Sequence, residues 1–462
     1  VISKDAGPAS SGKNRNLRRL TAAIIGIALL ITVVIVAPKA WDALIVAVPA
    51  TWSWFLRQDI TPGRGTIIGG FFVVVAAAIA YTGTHLTRTS NQRNADRSHN
   101  RADLQELRRR FVSTTAQFAD LSPEVRLAGV YALEALTDDW IERGRHTDAQ
   151  TCINYLCGYL TRPYTPPTEN PTLRRRTTRT YRTKYDYTDN VYEHPKDDLN
   201  VRQAITRTIA NHLPPNHHHS WSNYNYDLTG AYFHNADFTG CHFRGAIDFT
   251  GANFHGEQTS FDNAKFLGSQ TSFSQARFQS NKTSFDNAKF YSNRTLFNFA
   301  QFSSQRVYFD QAEFRGELTS FNNADFDGEE TSFSYAKFKS TWQTSFFFVD
   351  FHSSSETSFT FAEFRGKHAF FSHALFYGKY TSFVSAKFNS KETSFDFTDF
   401  HGEETRFYRA QFLSTKTSFV FPRSWNNVYF DWDTPVPYAA TAPKSDKIVP
   451  HHWPPPTLEQ ND

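Results

Sequence analysis

Residues 283–294 read Thr-Ser-Phe-Asp-Asn-Ala-Lys-Phe-Tyr-Ser-Asn-Arg, one copy of a twelve-residue pattern, Thr-Ser-Phe-x-x-Ala-x-Phe-x-x-x-x, that recurs on both sides of it. Phe285 and Phe290 stand five residues apart, and Phe297 follows seven residues later. This alternation links Phe261/Phe266, Phe273/Phe278, Phe285/Phe290, Phe297/Phe302, Phe309/Phe314, Phe321/Phe326 and Phe333/Phe338. It continues through Phe346/Phe351, Phe359/Phe364, Phe371/Phe376, Phe383/Phe388, Phe395/Phe400 and Phe407/Phe412. Upstream, Phe233, Phe238 and Phe243 keep a plain five-residue step, with Phe254 opening the alternating part. Spacings of five and seven match neither a strand's alternation nor a helix's return every three to four residues. A unit this short with one large apolar group cannot bury it alone, so units must stack, as in a solenoid, with a short strand and a corner in each. Ala264, Ala276 and Ala288, or Thr259, Thr271 and Thr283, stand two residues before a phenylalanine and supply the small interior position. All the phenylalanines named here are assigned to the core.

The run Ala231-Tyr232-Phe233-His234-Asn235, Ala236-Asp237-Phe238-Thr239-Gly240, Cys241-His242-Phe243-Arg244-Gly245 resembles the pentapeptide-repeat family, and the later units resemble its phenylalanine-rich branch. The resemblance implies an all-β, right-handed quadrilateral β-helix over residues 224–421, with one pentapeptide per face. The seven-residue step departs from the family pattern and predicts roughly 24 residues per coil instead of roughly 20. Gly and Ser in Leu267-Gly268-Ser269-Gln270 and Asp327-Gly328-Glu329-Glu330 suit the widened corners. Steps of eight, Phe338 to Phe346 and Phe351 to Phe359, mark an irregular coil near Trp342. Eight or so coils rising about 4.8 Å each make a rod on the order of 40 Å long.

Hydropathy sets the expectation for the N-terminus. Thr21 to Ala37 and Thr66 to Gly83 are uninterrupted apolar runs without charges, each near the roughly 20 residues that span a bilayer. Two transmembrane helices are therefore expected within residues 21–84, with Trp41, Trp52 and Trp54 on an interfacial segment, Trp41 to Leu56, between them. Lys4, Lys13, Arg15, Arg18 and Arg19 precede the first run, and Arg88, Arg93, Arg97 and Arg101 follow the second. The positive-inside rule then makes this an integral, multi-pass cell-membrane protein with both termini cytoplasmic. Cys152, Cys157 and Cys241 provide no disulfide framework, which suits a reducing compartment. The chain has no methionine and begins at Val1, so an alternative initiation codon and a truncated start both stay open.

The remaining divisions are a basic cytoplasmic N-terminus (1–20), a small all-α juxtamembrane region (85–165), a basic polar linker (166–197) and a helix with linker (198–223). A C-terminal cap (422–433) and a Pro-rich, extended tail (434–462) follow the solenoid. Leu104, Leu107, Phe111 and Phe118 form one apolar helical stripe, and Ser122-Pro123-Glu124 has the N-cap, N1 proline and first-turn acid of a helix start. Arg126 to Glu134 resembles the "RLGGIYALE" segment between membrane spans and repeats in many actinobacterial pentapeptide-repeat proteins. Leu199 to Ile205 resembles the second helical piece of that layout, and Val125-Arg126-Leu127-Ala128 and Val201-Arg202-Gln203-Ala204 share the pattern Val-Arg-x-Ala.

Chemical motifs are sparse. His217-His218-His219 has the residue type of a metal site but lies in a linker without an acidic or cysteine partner in the sequence, so it reads as a solvated loop. Arg174, Arg175, Arg176, Arg179, Arg182 and Lys184 form a basic run that suits anionic lipid or nucleic acid, and equally an exposed flexible linker. Glu329, Glu330, Glu403, Glu404 and His401 recur at corners and read as a solvated face. Catalytic triads, phosphate loops and zinc signatures are not present, so no enzyme, catalytic residue, cofactor or metal is assigned. The expected function is a membrane-anchored, cytoplasm-facing scaffold for an unknown protein partner, with homodimerisation through a terminal coil allowed by the resemblance. The alternative is a DNA-mimic inhibitor of a DNA-binding enzyme such as gyrase, a role found in the family. Lys and Arg nearly balance Asp and Glu over the repeats, which disfavours mimicry, and the net charge of +4 is too small to point to nucleic acid.

Overall fold

The computed structural model describes residues 62–164, 175–181, 186–193, 198–433 and 443–458. The chain divides into two units, Val1–Arg101 and Ala102–Asp462. Helix α1 is Pro62–Gln117, α2 is Pro123–Glu142, α3 is His146–Leu160 and α4 is Asp198–His212.

Among the described residues no helix is long and apolar enough to cross a membrane. This corrects the expectation of two transmembrane helices and of a multi-pass membrane location. Beyond Gly83, α1 carries His85, Arg88, Arg93, Asp96 and Arg97, so most of its length is polar. The run Thr21 to Ala37 and the segment Trp41 to Leu56 lie outside the described residues.

From Ala102 on, Leu107 and Phe118 are buried, and Phe118 meets the rings of Tyr155 and Tyr159 edge-on at 5.1 and 5.5 Å. Ser122 caps α2, its hydroxyl accepting from the Val125 amide, with Pro123 opening the helix. Leu133, Leu136 and Trp140 of α2, Ile153 and Leu156 of α3, and Val201, Ile205 and Ile209 of α4 share one core. The two Val-Arg-x-Ala pieces meet there. Arg126 and Arg202 lie 3.8 and 2.7 Å from Asp198, and all three side chains are buried. Tyr159 donates to the same carboxylate, and Arg202 also donates to the Leu160 and Arg162 carbonyls.

Part of the segment read as a linker is an antiparallel hairpin, β1 (Arg175–Tyr181) with β2 (Tyr187–Glu193). Arg179 grips Asp189 through two nitrogens, at 2.7 and 2.9 Å, and its guanidinium covers the Tyr187 ring. Arg174, Arg182 and Lys184 lie outside the described residues.

The solenoid makes about eight turns. Its strands pair in parallel with their counterparts one coil away: Phe278 faces Phe302 and Phe302 faces Phe326, a repeat of 24 residues. The first coil is tighter, Phe233 facing Phe254, because it keeps the plain five-residue step. The inward rings form four columns. One runs Phe254, Phe278, Phe302, Phe326, Phe351, Phe376, Phe400. The next runs Phe261, Phe285, Phe309, Phe333, Phe359, Phe383, Phe407. The third runs Phe243, Phe266, Phe290, Phe314, Phe338, Phe364, Phe388, Phe412. The fourth runs Phe249, Phe273, Phe297, Phe321, Phe346, Phe371, Phe395, Phe419. Within a column the rings are parallel and close, as for Phe302 and Phe326 at 4.5 Å. The second and fourth columns meet edge-on across the interior, as Phe309 and Phe321 do at 5.6 Å.

Phe364 and Phe388 correct the expectation of a short strand and a corner in every unit. They lie in strands eight residues long, Glu363–Phe370 and Lys387–Ser394, which run on through the corner instead of stopping at it. The physical reason is register. Phe364 faces Phe388, and Arg365 and Gly366 then face Asn389 and Ser390, so the corner backbones of the two coils pair with each other. Phe254 and Phe278 stand in the same kind of strand, Asn253–Ser260 and Arg277–Ser284. Around Phe388 the stacking loosens, with 5.2 Å to Phe364 and to Phe412 against 4.7 Å between Phe290 and Phe314.

The widened corners have a polar interior of their own. Ser280, Ser292 and Ser304 turn inward and bond the hydroxyls of Thr259, Thr271 and Thr283 one coil back at 2.7–2.8 Å. These ladders satisfy hydroxyls that would otherwise be costly to bury. At the equivalent site Gly316 adopts φ 106°, and a Cβ there would stand 2.1 Å from the Ser292 carbonyl oxygen.

Both ends of the stack are covered, as a solenoid requires. At the N-terminal end, Asn225 exchanges two hydrogen bonds with Gln150 of α3, and Tyr226, Cys157 and Cys241 share one buried cluster. At the other end the tail, read as extended, folds back. Ile448–Val449 adds a parallel strand to Lys416–Ser418, and Trp453 packs on Phe419, Trp425 and Phe430.

Candidate functional site

Every phenylalanine assigned to the core from the sequence is buried, Phe364 and Phe388 included, except Phe412, which is partly buried beside Trp432. Phe249, Phe419 and Phe430 are buried too and were not in that assignment. Phe249 stands five residues before Phe254, and Phe419 seven after Phe412, so the signal was present in the spacing. Because the core consumes these rings, recognition belongs to the outward residues, and the 24-residue coil decides which of them share a face.

On the third column's face, Lys265, Lys289, Glu313, Lys337, Glu363 and Lys387 succeed one another from coil to coil. A parallel row beside it holds Arg244, Arg315, Lys339 and Arg365. Glu313 is shared by Arg315 at 2.9 Å and Lys339 at 2.8 Å, and Glu363 pairs with Arg365. Burial opposes ionisation of Glu313, but hydrogen bonds from Lys339, Tyr291 and Arg315 bring its pKa to about 2. The remaining cations of this face outnumber its acids.

On the opposite face, over the first column, the row passes from Asn253, Arg277 and Gln301 to acids in its later coils. Asp325, Asp350, Leu375 and Asp399 form one row, and Asp327, His352, Tyr377 and His401 stand beside it. Asp325, Asp350 and His352 hold their ligand atoms within 4.8 Å of one another. Burial, reinforced by the neighbouring carboxylates, raises the pKa of Asp325 and Asp350 against the pull of His352. At the C-terminal end of this face a cleft of about 900 Å³ is lined by Tyr377, Asp399, His401, Arg423 and His452.

An aromatic ridge edges the acidic face. The residue two after each fourth-column ring has positive φ; it is Gly251, Gln275 and Asn323 in three coils and Phe299, Phe348, His373, Phe397 and Phe421 in the others. Bulky residues are uncommon in this backbone region. Phe348, His373 and Phe397 stack along the rod at 4.5 and 4.9 Å.

The histidine run sits at the N-terminal end, and the structure supplies the acidic partners that the linear sequence hides. Glu134, Asp138 and Glu142 recur every four residues on α2 and so share one helix face. His219 Nδ1 lies 3.4 Å from Asp138, and its Nε2 lies 3.0 Å from Glu142. Asp138 also accepts from Trp221 Nε1 at 2.9 Å, and Trp221 stacks on buried His212. Burial disfavours the charged His212, yet hydrogen bonds to Asp138 and the Thr208 carbonyl, with the charges of Asp138 and Glu134, raise its pKa. Cys152, Cys157 and Cys241 are buried, and burial pushes each thiol up to about 12, so they are structural.

A family profile described as pentapeptide repeats (9 copies) matches residues 228–269 and, overlapping them, 238–301. Comparison with curated proteins and with solved structures found no match. Solenoids of this repeat are generally non-enzymatic, and the fold supports a protein-interaction scaffold in general terms.

Proposed function

We propose that the protein is a rigid interaction scaffold whose basic face docks an acidic surface of a protein partner. The observation that carries this reading is a bias of charge: Lys265, Lys289, Lys337 and Lys387 share one face, where Glu313 and Glu363 are already paired, while Asp325, Asp327, Asp350 and Asp399 lie on the later coils of the opposite face, which carries Arg277 earlier. Near-neutrality of the whole rod conceals this polarity. The stacked core holds the charges at fixed intervals, and complementary charge at fixed intervals steers encounter and sets register. DNA mimicry has less support. Asp262, Asp286 and Asp310 form a carboxylate row that gives way to Ser334, and the row through Asp325 and Asp350 is interrupted by Leu375.

The test is cross-linking and capture with the intact chain against a Lys289→Glu/Lys337→Glu variant. The scaffold reading expects one reproducible protein partner whose capture falls in the variant and with added salt. Equal capture by both chains rejects it. Inhibition of gyrase supercoiling by both chains alike would favour mimicry.

A further inference from the structure

We propose that Glu142, His218 and His219 bind a divalent transition-metal ion of the zinc type, which clamps the end of α2 to the loop leading into the solenoid. Their ligand atoms all lie within 4.8 Å of one another. Two imidazoles and a carboxylate are a borderline-soft donor set that suits zinc and its neighbours rather than magnesium or calcium. Donors about 2.0–2.1 Å from a tetrahedral ion stand roughly 3.3 Å apart. His219 Nε2 and Glu142 Oε1, at 3.0 Å, are already close to that separation.

A second feature makes this more than a surface ion pair. His219 presents its other nitrogen, Nδ1, to Asp138 at 3.4 Å, and Asp138 is held in turn by Trp221 Nε1. A carboxylate behind the far nitrogen of a histidine is the arrangement that fixes ring orientation and raises basicity at metal centres. The loop is itself restrained: the His217 amide donates to the Pro214 carbonyl, and the Trp221 amide donates to the His212 carbonyl. His212 is not part of this cluster of ligand atoms, and its ring is buried under Trp221 with Nε2 facing Asp138. The ion would join residues 77 positions apart in sequence, tying the helical layer to the solenoid's entry.

The experiment uses the untagged full chain, stripped with chelator and dialysed, titrated with Zn²⁺ by calorimetry and with Co²⁺ by visible absorption. We expect one saturable ion per chain, a tetrahedral Co²⁺ spectrum and a raised melting temperature. Glu142→Gln and His218→Ala, both at exposed side chains, should each weaken binding at least about tenfold, and Asp138→Asn roughly 10–100-fold. Circular dichroism of the metal-free variants checks that they fold. Absence of saturable binding overturns the proposal. So does unchanged binding in the Glu142→Gln/His218→Ala double variant, which would move the ion to other histidines such as His451 and His452.

Discussion

Replacing Phe321 with alanine tests whether the ring columns hold the solenoid together. Phe321 has no exposed surface and lies between Phe297 at 4.7 Å and Phe346 at 4.9 Å in its own column. It also meets Phe309 at 5.6 Å and Phe333 at 5.7 Å, edge-on. Burial of such a ring stabilises by roughly 1.5–3 kcal/mol, and each aromatic pair adds roughly 0.5–1.5 kcal/mol. The simple sum exceeds the roughly 3–5 kcal/mol found for truncating buried phenylalanines, because neighbours relax partly into the space. We therefore expect a loss of about 3–5 kcal/mol, concentrated at the two coil interfaces that Phe321 bridges. The control is Phe299→Asn. Phe299 is 56% exposed at φ 57°, and Asn323 holds the equivalent place one coil later. Asparagine tolerates this backbone better, so the control should gain up to about 1 kcal/mol. Urea unfolding followed by far-ultraviolet circular dichroism reads both. A loss below about 1 kcal/mol for Phe321→Ala, or equal effects of the two changes, would refute the column as the source of stability.

Three further outcomes follow from buried polar groups. Asp198→Ala leaves Arg126 and Arg202 buried opposite a lost charge, so calorimetry should show about 3–5 kcal/mol of destabilisation, and a change under about 1 kcal/mol would deny the pairing. Burial first, then the charges of Asp262 and Asp310, raises the pKa of Asp286, so its ionisation costs folded-state stability as pH rises through that value. Asp286→Asn should therefore raise the melting temperature at pH 7 and lose this advantage below about pH 4, where the unfolded carboxyl is also protonated; a gain that persists in acid counts against the mechanism. With thiols raised to about 12, Cys152, Cys157 and Cys241 should resist alkylation at pH 8 until denaturant is added, and rapid labelling of the native chain would contradict their burial.

Ring spacing made the solenoid legible at once, because a five- and seven-residue step admits few other ways to bury a phenylalanine. It did not reveal where strands continue through a corner, as at Phe364 and Phe388, because that depends on the backbone of the next coil. The N-terminal expectation rested on local hydropathy and charge, and it is corrected because no helix among the described residues is long and apolar enough to cross a membrane. Proline-rich composition misdirected the reading of the tail, where Trp453 finds an aromatic surface that exists only once the last coil has formed. Phe249 and Phe419 carry the same spacing at the two edges of the regular pattern, where the repeat unit is incomplete.

By itself the sequence determined the coil and its core, since each ring's partners are copies of the same local pattern and need no information from elsewhere. Only the tertiary structure decided which charges share a face. Lys265 and Lys289 become neighbours because a coil closes after 24 residues, and the added corner residues set that closure. It alone also brought Arg126 and Arg202 to one aspartate, and Glu142 to His219. Such pairs depend on how helices dock at the end of the stack, and no local periodicity encodes a contact across 77 residues.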